Sequence, residues 1–418
     1  MKSKNLNKMV TEESIIYSLK QLGNLVFETT DSCNLNCKYC AYSTLYEGYD
    51  KREGKMLSFE KANLIIDYIF SIRNSTPGIK FPLIIGFYGG EPLLNFSFIK
   101  KVVEYIKTIN CKNGEIIYSM TTNGLLLDKH IDFLVTNDFF ISVSLDGDEY
   151  AQSYRVDPNG KNSHGRVIKN LYSIKENYPN FLRDKVNFLS VIHNRNEVEK
   201  TYNYINELFD KKPRFLSLSR QGIKQEKMNE FKQMYNHAYQ SIKRSNNCEE
   251  LENKLFLKSP LTSDLAKHIF RKSGNVYTEY KDLILNPKST FKRYTSTCYP
   301  FSRKMFITVN GKILPCEQIP QEYGFGQVHD DRVELDFEKI ANLQNNYISK
   351  ISKGCDKCLL FDECPICIYQ VDKLHLDSGV CAEFCNQQMY DKRVDELMQH
   401  LRLHPDYYSK ILKQVNFK

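Results

Sequence analysis

From residue 25 to about residue 220 the chain alternates short apolar runs of strand character with longer helix-patterned runs, and this alternation constrains the fold more than any other feature. Run 25–30 precedes 58–71, 83–88 precedes 96–108, 115–121 precedes 128–136, 140–145 precedes 165–177, and 186–192 precedes 197–208; run 214–219 is a sixth strand. The connections suit a parallel sheet, and six units fall two short of a closed eight-stranded barrel. Ligands in folds of this kind sit at the C-terminal ends of the strands, so those ends hold the candidate site residues.

The end of the first strand carries the strongest chemical signal. Cys33, Cys37 and Cys40 follow it in the run Asp31-Ser-Cys-Asn-Leu-Asn-Cys-Lys-Tyr-Cys40. A cubane of four irons is normally held by four cysteines, so a tight trio without a nearby fourth leaves one iron open to a small ligand. The same spacing also describes one buried helix face, a reading that the rest of the chain weakens. Thirteen cysteines in 418 residues, gathered at metal-ligand spacings in a chain without a signal peptide, read as reduced thiolates holding metal rather than as disulfides.

Composition adds exclusions. The polar start at 1–13 and a longest apolar stretch of only 83–88 argue against a membrane anchor and place the chain in the cytoplasm. The net charge of +8 is spread through the chain without an aromatic-and-basic motif, which argues against nucleic acid as a partner.

With its CxxxCxxC after the first strand, the chain resembles the radical S-adenosylmethionine (SAM) superfamily, whose fold is a partial βα barrel. The resemblance implies a 4Fe-4S cluster on Cys33, Cys37 and Cys40, with SAM chelated at the open iron and cleaved by one electron to a 5'-deoxyadenosyl radical. It implies that Gly89-Gly90-Glu91-Pro92, at the end of the second strand, contacts the methionine amino group. It further implies that Thr122, Asn123, Ser144 and Asp146, at the next strand ends, line the adenosine and ribose, and that Arg155 meets the methionine carboxylate.

A second cysteine set begins at Cys298, continues through Gly311 and Cys316 to Cys355, Cys358, Cys364 and Cys367, and ends at Cys381 and Cys385. It is similar to the SPASM domain, which houses two auxiliary clusters in radical enzymes that modify peptides and proteins. By that resemblance one cluster takes Cys355, Cys358, Cys364 and either Cys381 or Cys385, and the other takes Cys298, Cys316 and Cys367. Cys364 and Cys367 stand one residue closer than the family's usual pair. A zinc ribbon on Cys355, Cys358, Cys364 and Cys367 is the rival reading, and Cys111 and Cys248 read as unligated thiols. Glu317, directly after Cys316, falls where sulfatase-maturing enzymes carry an Asp beside the substrate, which suggests a general base.

The expected architecture is thus α/β: a partial six-unit (βα) barrel at 20–220, a helical bridge at 221–294, a small iron-sulfur SPASM domain at 295–395 and a helical tail at 396–418. The expected function is a maturase that forms a thioether or carbon-carbon cross-link in a ribosomally made peptide or a protein. The alternative is anaerobic sulfatase maturation, oxidising Cys or Ser to formylglycine; a non-catalytic zinc-binding module is a third. A reductant such as flavodoxin or ferredoxin is the expected second partner.

Overall fold

The computed structural model describes residues 10–79, 81–109, 114–220, 222–272, 297–355, 357–364, 366–370, 381 and 384–413. Cys111 lies outside them, as do 221 and 273–294 of the expected bridge. The chain divides into two compact units, one made of Thr11–Ser241 with Cys298–Ile340, the other of Met1–Val10, Ile242–Thr297 and Ala341–Lys418.

The first unit is built on the expected strands: β1 (Asn24–Glu28), β2 (Leu83–Tyr88), β3 (Ile116–Thr122), β4 (Phe140–Ser144), β5 (Val186–Ile192) and β6 (Arg214–Ser217), each pairing in parallel with the next. Alternate residues of these strands, among them Phe27, Leu83, Phe87, Ile141 and Phe188, are buried. Phe27 meets Phe98 of the helix Phe96–Thr108 edge-on at 5.9 Å, and Phe87 stacks on Phe139 at 5.8 Å. Burial of each such ring contributes roughly 1.5–3 kcal/mol. The fully buried guanidinium of Arg73, from the helix Phe59–Ser75, donates to the carbonyls of Leu22 and Phe81 at 2.9 and 3.0 Å, anchoring the starts of β1 and β2.

Four short strands extend this sheet on the far side of β1. They are β7 (Met305–Ile307), β8 (Lys312–Leu314), β9 (Gly326–Val328) and β10 (Val333–Leu335). β7 pairs with β1 in parallel and the rest form an antiparallel meander, giving one mixed ten-stranded sheet in the order β10-β9-β8-β7-β1-β2-β3-β4-β5-β6. The segment from Cys298 to Ile340 thus belongs to the first unit. Val26, Gly86, Ser119, Thr121 and Ser142, with Lys304 and Glu317, line a cavity of about 120 Å³ against the sheet.

The helix expected over 225–244 is broken. Met228–Met234 ends where Tyr235 turns extended and bridges His193 at the end of β5, and a second helix, Ala238–Lys243, follows. Asn194 N–H donates to the Met234 carbonyl at 2.9 Å. These long-range bonds replace the intrahelical ones there. An unexpected helix, Glu12–Lys20, opens the unit with a capping box between Thr11 and Ser14.

In the second unit Leu265, Ala266 and Ile269 of the helix Pro260–Lys272 pack with Leu397 of Gln387–Leu403 and with Tyr407 and Ile411 of Tyr407–Lys413. The buried Thr262 hydroxyl meets His400 Nε2 at 2.9 Å. The charged C-terminal segment thus supplies one side of a core. No helix among the described residues is long and apolar enough to cross a membrane.

Candidate active site

The loop after β1 is held from both sides. On one side Thr30 Oγ1 donates to the Lys55 carbonyl at 2.7 Å, Asp31 N–H reaches the same carbonyl at 3.2 Å, and Asp31 Oδ2 accepts from Glu53 N–H at 3.0 Å. On the other, Gly90 N–H donates to the Thr30 carbonyl and Glu91 N–H to the Ser32 carbonyl, both at 2.9 Å. A Cβ on Gly89 would lie 2.3 Å from Thr30 O, where φ is also +136°, and one on Gly90 would lie 2.0 Å from Ser32 O. These glycines therefore permit a close approach to the backbone of the cysteine loop.

Within the loop Cys33 Sγ accepts from Leu35 N–H at 3.4 Å and from Asn123 Nδ2 at 3.8 Å, and Cys40 Sγ accepts from Arg52 Nη2 at 3.8 Å. Burial pushes the Cys37 thiol up to about 12, and the charges of Cys40 and Cys33 add to this while Arg155 opposes it. Cys33 is raised by the same burial. Two thiols held up by burial, Cys33 and Cys37, beside a third, with N–H donors at the sulfurs of Cys33 and Cys40, fit a group that brings positive charge to them, as a thiolate-bound metal cluster does. Among the described residues no three His, Cys, Asp or Glu side chains close on a single-ion site.

Glu91 is fully buried. Its carboxylate accepts from Thr122 Oγ1 at 2.7 Å, Asn123 N–H at 2.7 Å and Leu93 N–H at 3.2 Å, so it joins the ends of β2 and β3. Burial pushes its pKa up to about 7 in spite of these donors. Pro92 begins the short 3-10 helix Pro92–Asn95, and Asn123 Nδ2 also donates to Asn34 Oδ1 at 2.7 Å.

Ser144 ends β4, and two residues later Asp146 is the hub of a buried network. It receives Arg155 Nε at 2.9 Å, Arg155 Nη2 at 3.0 Å, Val191 N–H at 2.9 Å and the hydroxyl of Tyr39. Burial opposes its ionisation, but the Arg155 charge, His193 and the Arg155 hydrogen bonds prevail and hold it at about 2. Tyr39 lies between Cys37 and Cys40, beneath the Arg155 guanidinium at 5.3 Å and beside the His193 ring at 5.6 Å. Tyr39, His193, Arg52 and Lys304 escaped sequence reasoning. Only the position of Tyr39 inside the cysteine run signalled it.

Glu317 lies against Lys304, whose Nζ donates to both carboxylate oxygens at 2.9 and 2.7 Å. Chiefly burial pushes the Tyr49 hydroxyl up to about 12, and the charges of Cys316, Cys40 and Glu317 each add to the shift. In the second unit Cys358 N–H donates to the Cys355 carbonyl at 3.1 Å, and Cys385 N–H donates to Cys358 Sγ at 3.4 Å. Burial raises the Cys385 thiol, and the charge of Cys358 adds to it. Phe384 N–H donates to the Cys381 carbonyl at 3.0 Å.

Residues 27–205 match the Radical SAM superfamily. This stretch of the chain is a radical SAM domain. Its sheet and cysteine loop imply SAM and a 4Fe-4S cluster as cofactors, and the thiol trio fits such a cluster. The chain is 25% identical over 361 residues to a cysteine-type anaerobic sulfatase-maturating enzyme of Clostridium novyi (strain NT), covering 84% of this chain and 87% of that one. It is 24% identical to the radical SAM cyclopropyl synthase TigE of Paramaledivibacter caminithermalis, over 87% of this chain and 72% of that protein. The solved structure of native anSMEcpe with bound AdoMet and Cp18Cys peptide superposes with a TM-score of 0.57 at 21% identity, covering 92% of this chain and 99% of that chain. The radical SAM fold here is α/β with one large mixed sheet.

Proposed function

We propose that this radical SAM protein is a maturase that modifies a peptide or protein chain, forming a thioether or carbon-carbon cross-link. The observation that carries this reading is the placement of Glu317, directly after Cys316 and held by Lys304 at 2.9 and 2.7 Å, on the cavity lined by β1 to β4 of the radical SAM sheet. Relatives that span most of the chain are, by name, a sulfatase-maturating enzyme and a radical SAM cyclopropyl synthase.

In this reading Cys33, Cys37 and Cys40 hold the cluster at which SAM is cleaved to supply a 5'-deoxyadenosyl radical. Gly89, Gly90, Glu91, Pro92, Thr122, Asn123, Ser144, Asp146 and Arg155 form the walls of the SAM site. Glu91, with a pKa near neutrality, is suited to complement an ammonium. Arg155 orients Tyr39 and the loop through Asp146, and meets the methionine carboxylate with what remains of its donor capacity. Glu317 removes a proton from the substrate, with Lys304 fixing its carboxylate. Auxiliary clusters use the second cysteine set, and the N–H to sulfur bond between Cys385 and Cys358 favours Cys385 over Cys381 as a ligand beside Cys355, Cys358 and Cys364. We place the protein in the cytoplasm, with flavodoxin or ferredoxin as reductant.

Formylglycine formation is the second reading, favoured by the long match to a cysteine-type sulfatase-maturating enzyme. Mass spectrometry separates the two. Anaerobic protein given SAM, dithionite and a cysteine-containing peptide yields, for a cross-link, loss of hydrogen with sulfur retained; formylglycine exchanges the sulfur for oxygen. A colourless protein with stoichiometric zinc and no SAM cleavage overturns both.

A further inference from the structure

We propose that Arg52 sets how readily the cluster on Cys33, Cys37 and Cys40 takes up an electron. This rests on the cluster reading above.

Arg52 lies on the segment that returns along the cysteine loop. Its Nη2 is 3.8 Å from Cys40 Sγ, and its guanidinium sits 4.1 Å above the centre of the Tyr42 ring. Tyr42 is itself fixed, because its hydroxyl donates to Glu28 Oε1 at 2.7 Å and the other Glu28 oxygen accepts from Val309 N–H at 3.0 Å. The neighbouring Glu53 N–H is tied to Asp31 at 3.0 Å. The cation is thus held in place by stacking and by its backbone.

Its charge is uncompensated. Arg155, the other cation near the trio, is paired in both directions with Asp146. Arg52 makes no ion pair with a carboxylate among the described residues, and its Nε is buried without a hydrogen-bond partner. Glu28 feels its charge without meeting it as a pair.

A fixed cation beside a thiolate-bound cluster stabilises the form that carries one more negative charge. The electron comes from dithionite in the assay below, and no bond forms or breaks. With screening between that of water and that of a partly buried site, loss of one unit charge a few ångströms away shifts the reduced-to-oxidised ratio at fixed potential by about tenfold or more.

The experiment uses the full-length protein reconstituted anaerobically with iron and sulfide. The paramagnetic signal missing from the Cys33→Ala, Cys37→Ala, Cys40→Ala triple variant belongs to this cluster. Wild type, Arg52→Gln and Arg52→Lys are then poised with dithionite at the potential that half-reduces the wild-type cluster. The expected result is a ratio lowered about tenfold in Arg52→Gln at equal iron content, with Arg52→Lys near wild type. An unchanged ratio in Arg52→Gln overturns the proposal, and so does a tenfold shift in Arg52→Lys, which keeps the charge; this second arm holds if the glutamine variant binds no iron. If the triple variant loses no signal, the cluster reading itself falls and the proposal falls with it.

Discussion

Both oxygens of Asp146 are engaged by Arg155, Oδ2 by Nε at 2.9 Å and Oδ1 by Nη2 at 3.0 Å, in a site where Asp146 is wholly buried and Arg155 nearly so. The pair stands directly behind the cysteine loop, because Tyr39 donates its hydroxyl to the same Oδ2. The residue expected from sequence to receive a carboxylate ligand therefore already holds one from the protein.

Removing one partner of such a pair leaves a buried charge uncompensated. Asp146→Ala is expected to destabilise the first unit by about 3–5 kcal/mol, measured by denaturant unfolding of the metal-free protein.

Asp146 and Glu91 should give stability opposite slopes with pH. The folded pKa of Asp146, about 2, lies below its usual 3.8, so its contribution is present above the usual value and is lost as pH falls toward the folded one. Glu91 runs the other way: its folded value of about 7 exceeds its usual 4.5, so stability is lost as pH rises between them. Between pH 5 and 8 the melting temperature of the wild type should fall relative to that of Glu91→Gln. Parallel melting curves across that window would remove the buried, protonatable Glu91 from the account.

Gly90→Ala should displace the cysteine loop. The added methyl would lie 2.0 Å from Ser32 O, a backbone atom with little freedom to move. A loss of about 1–3 kcal/mol is expected from overpacking, together with reduced iron in the reconstituted protein. Full iron loading and unchanged stability would show that the two backbones are less closely pressed.

The six parallel strands were legible because each is a buried apolar run bounded by turn residues, and the observed β2 and β5 have the expected limits. The strands β7 to β10 were not. Each has three residues, too few for a periodic signal, and their pairing depends on the distant edge of β1. Within the site the cysteines and Gly89–Glu91 announced themselves by type and spacing. The bond between Tyr39 and Asp146 did not, since the two are 107 residues apart in sequence and only the place of Tyr39 inside the cysteine run marks it. Lys304 is an ordinary lysine until the fold sets it against Glu317.

Replacement of Cys33, Cys37 and Cys40 together by Ala should abolish dithionite-dependent cleavage of SAM, because the thiolates that hold the cluster are gone. The measurement is 5'-deoxyadenosine after anaerobic incubation. Arg155→Lys should act differently: it keeps a cation beside Asp146 but loses the guanidinium fork, weakening SAM binding while the iron content of the first cysteine set stays near wild type. Undiminished 5'-deoxyadenosine from the triple variant would contradict the catalytic reading as a whole.

Glu317→Gln preserves shape and removes the base. If Glu317 takes a proton from the substrate, product should fall on the order of a hundredfold while SAM cleavage continues, a loss in the range expected of a general base. Lys304→Met separates this from a packing role. It removes the two hydrogen bonds that fix the carboxylate and leaves the carboxylate itself, so product should fall less than in Glu317→Gln, with Lys304→Arg recovering part of the loss. The ratio of product to 5'-deoxyadenosine is the informative quantity, because a variant that merely loosens the sheet lowers both together. A ratio unchanged in Glu317→Gln would leave the carboxylate as a partner of Lys304 only, and the base would have to be sought elsewhere along the cavity that the two residues line.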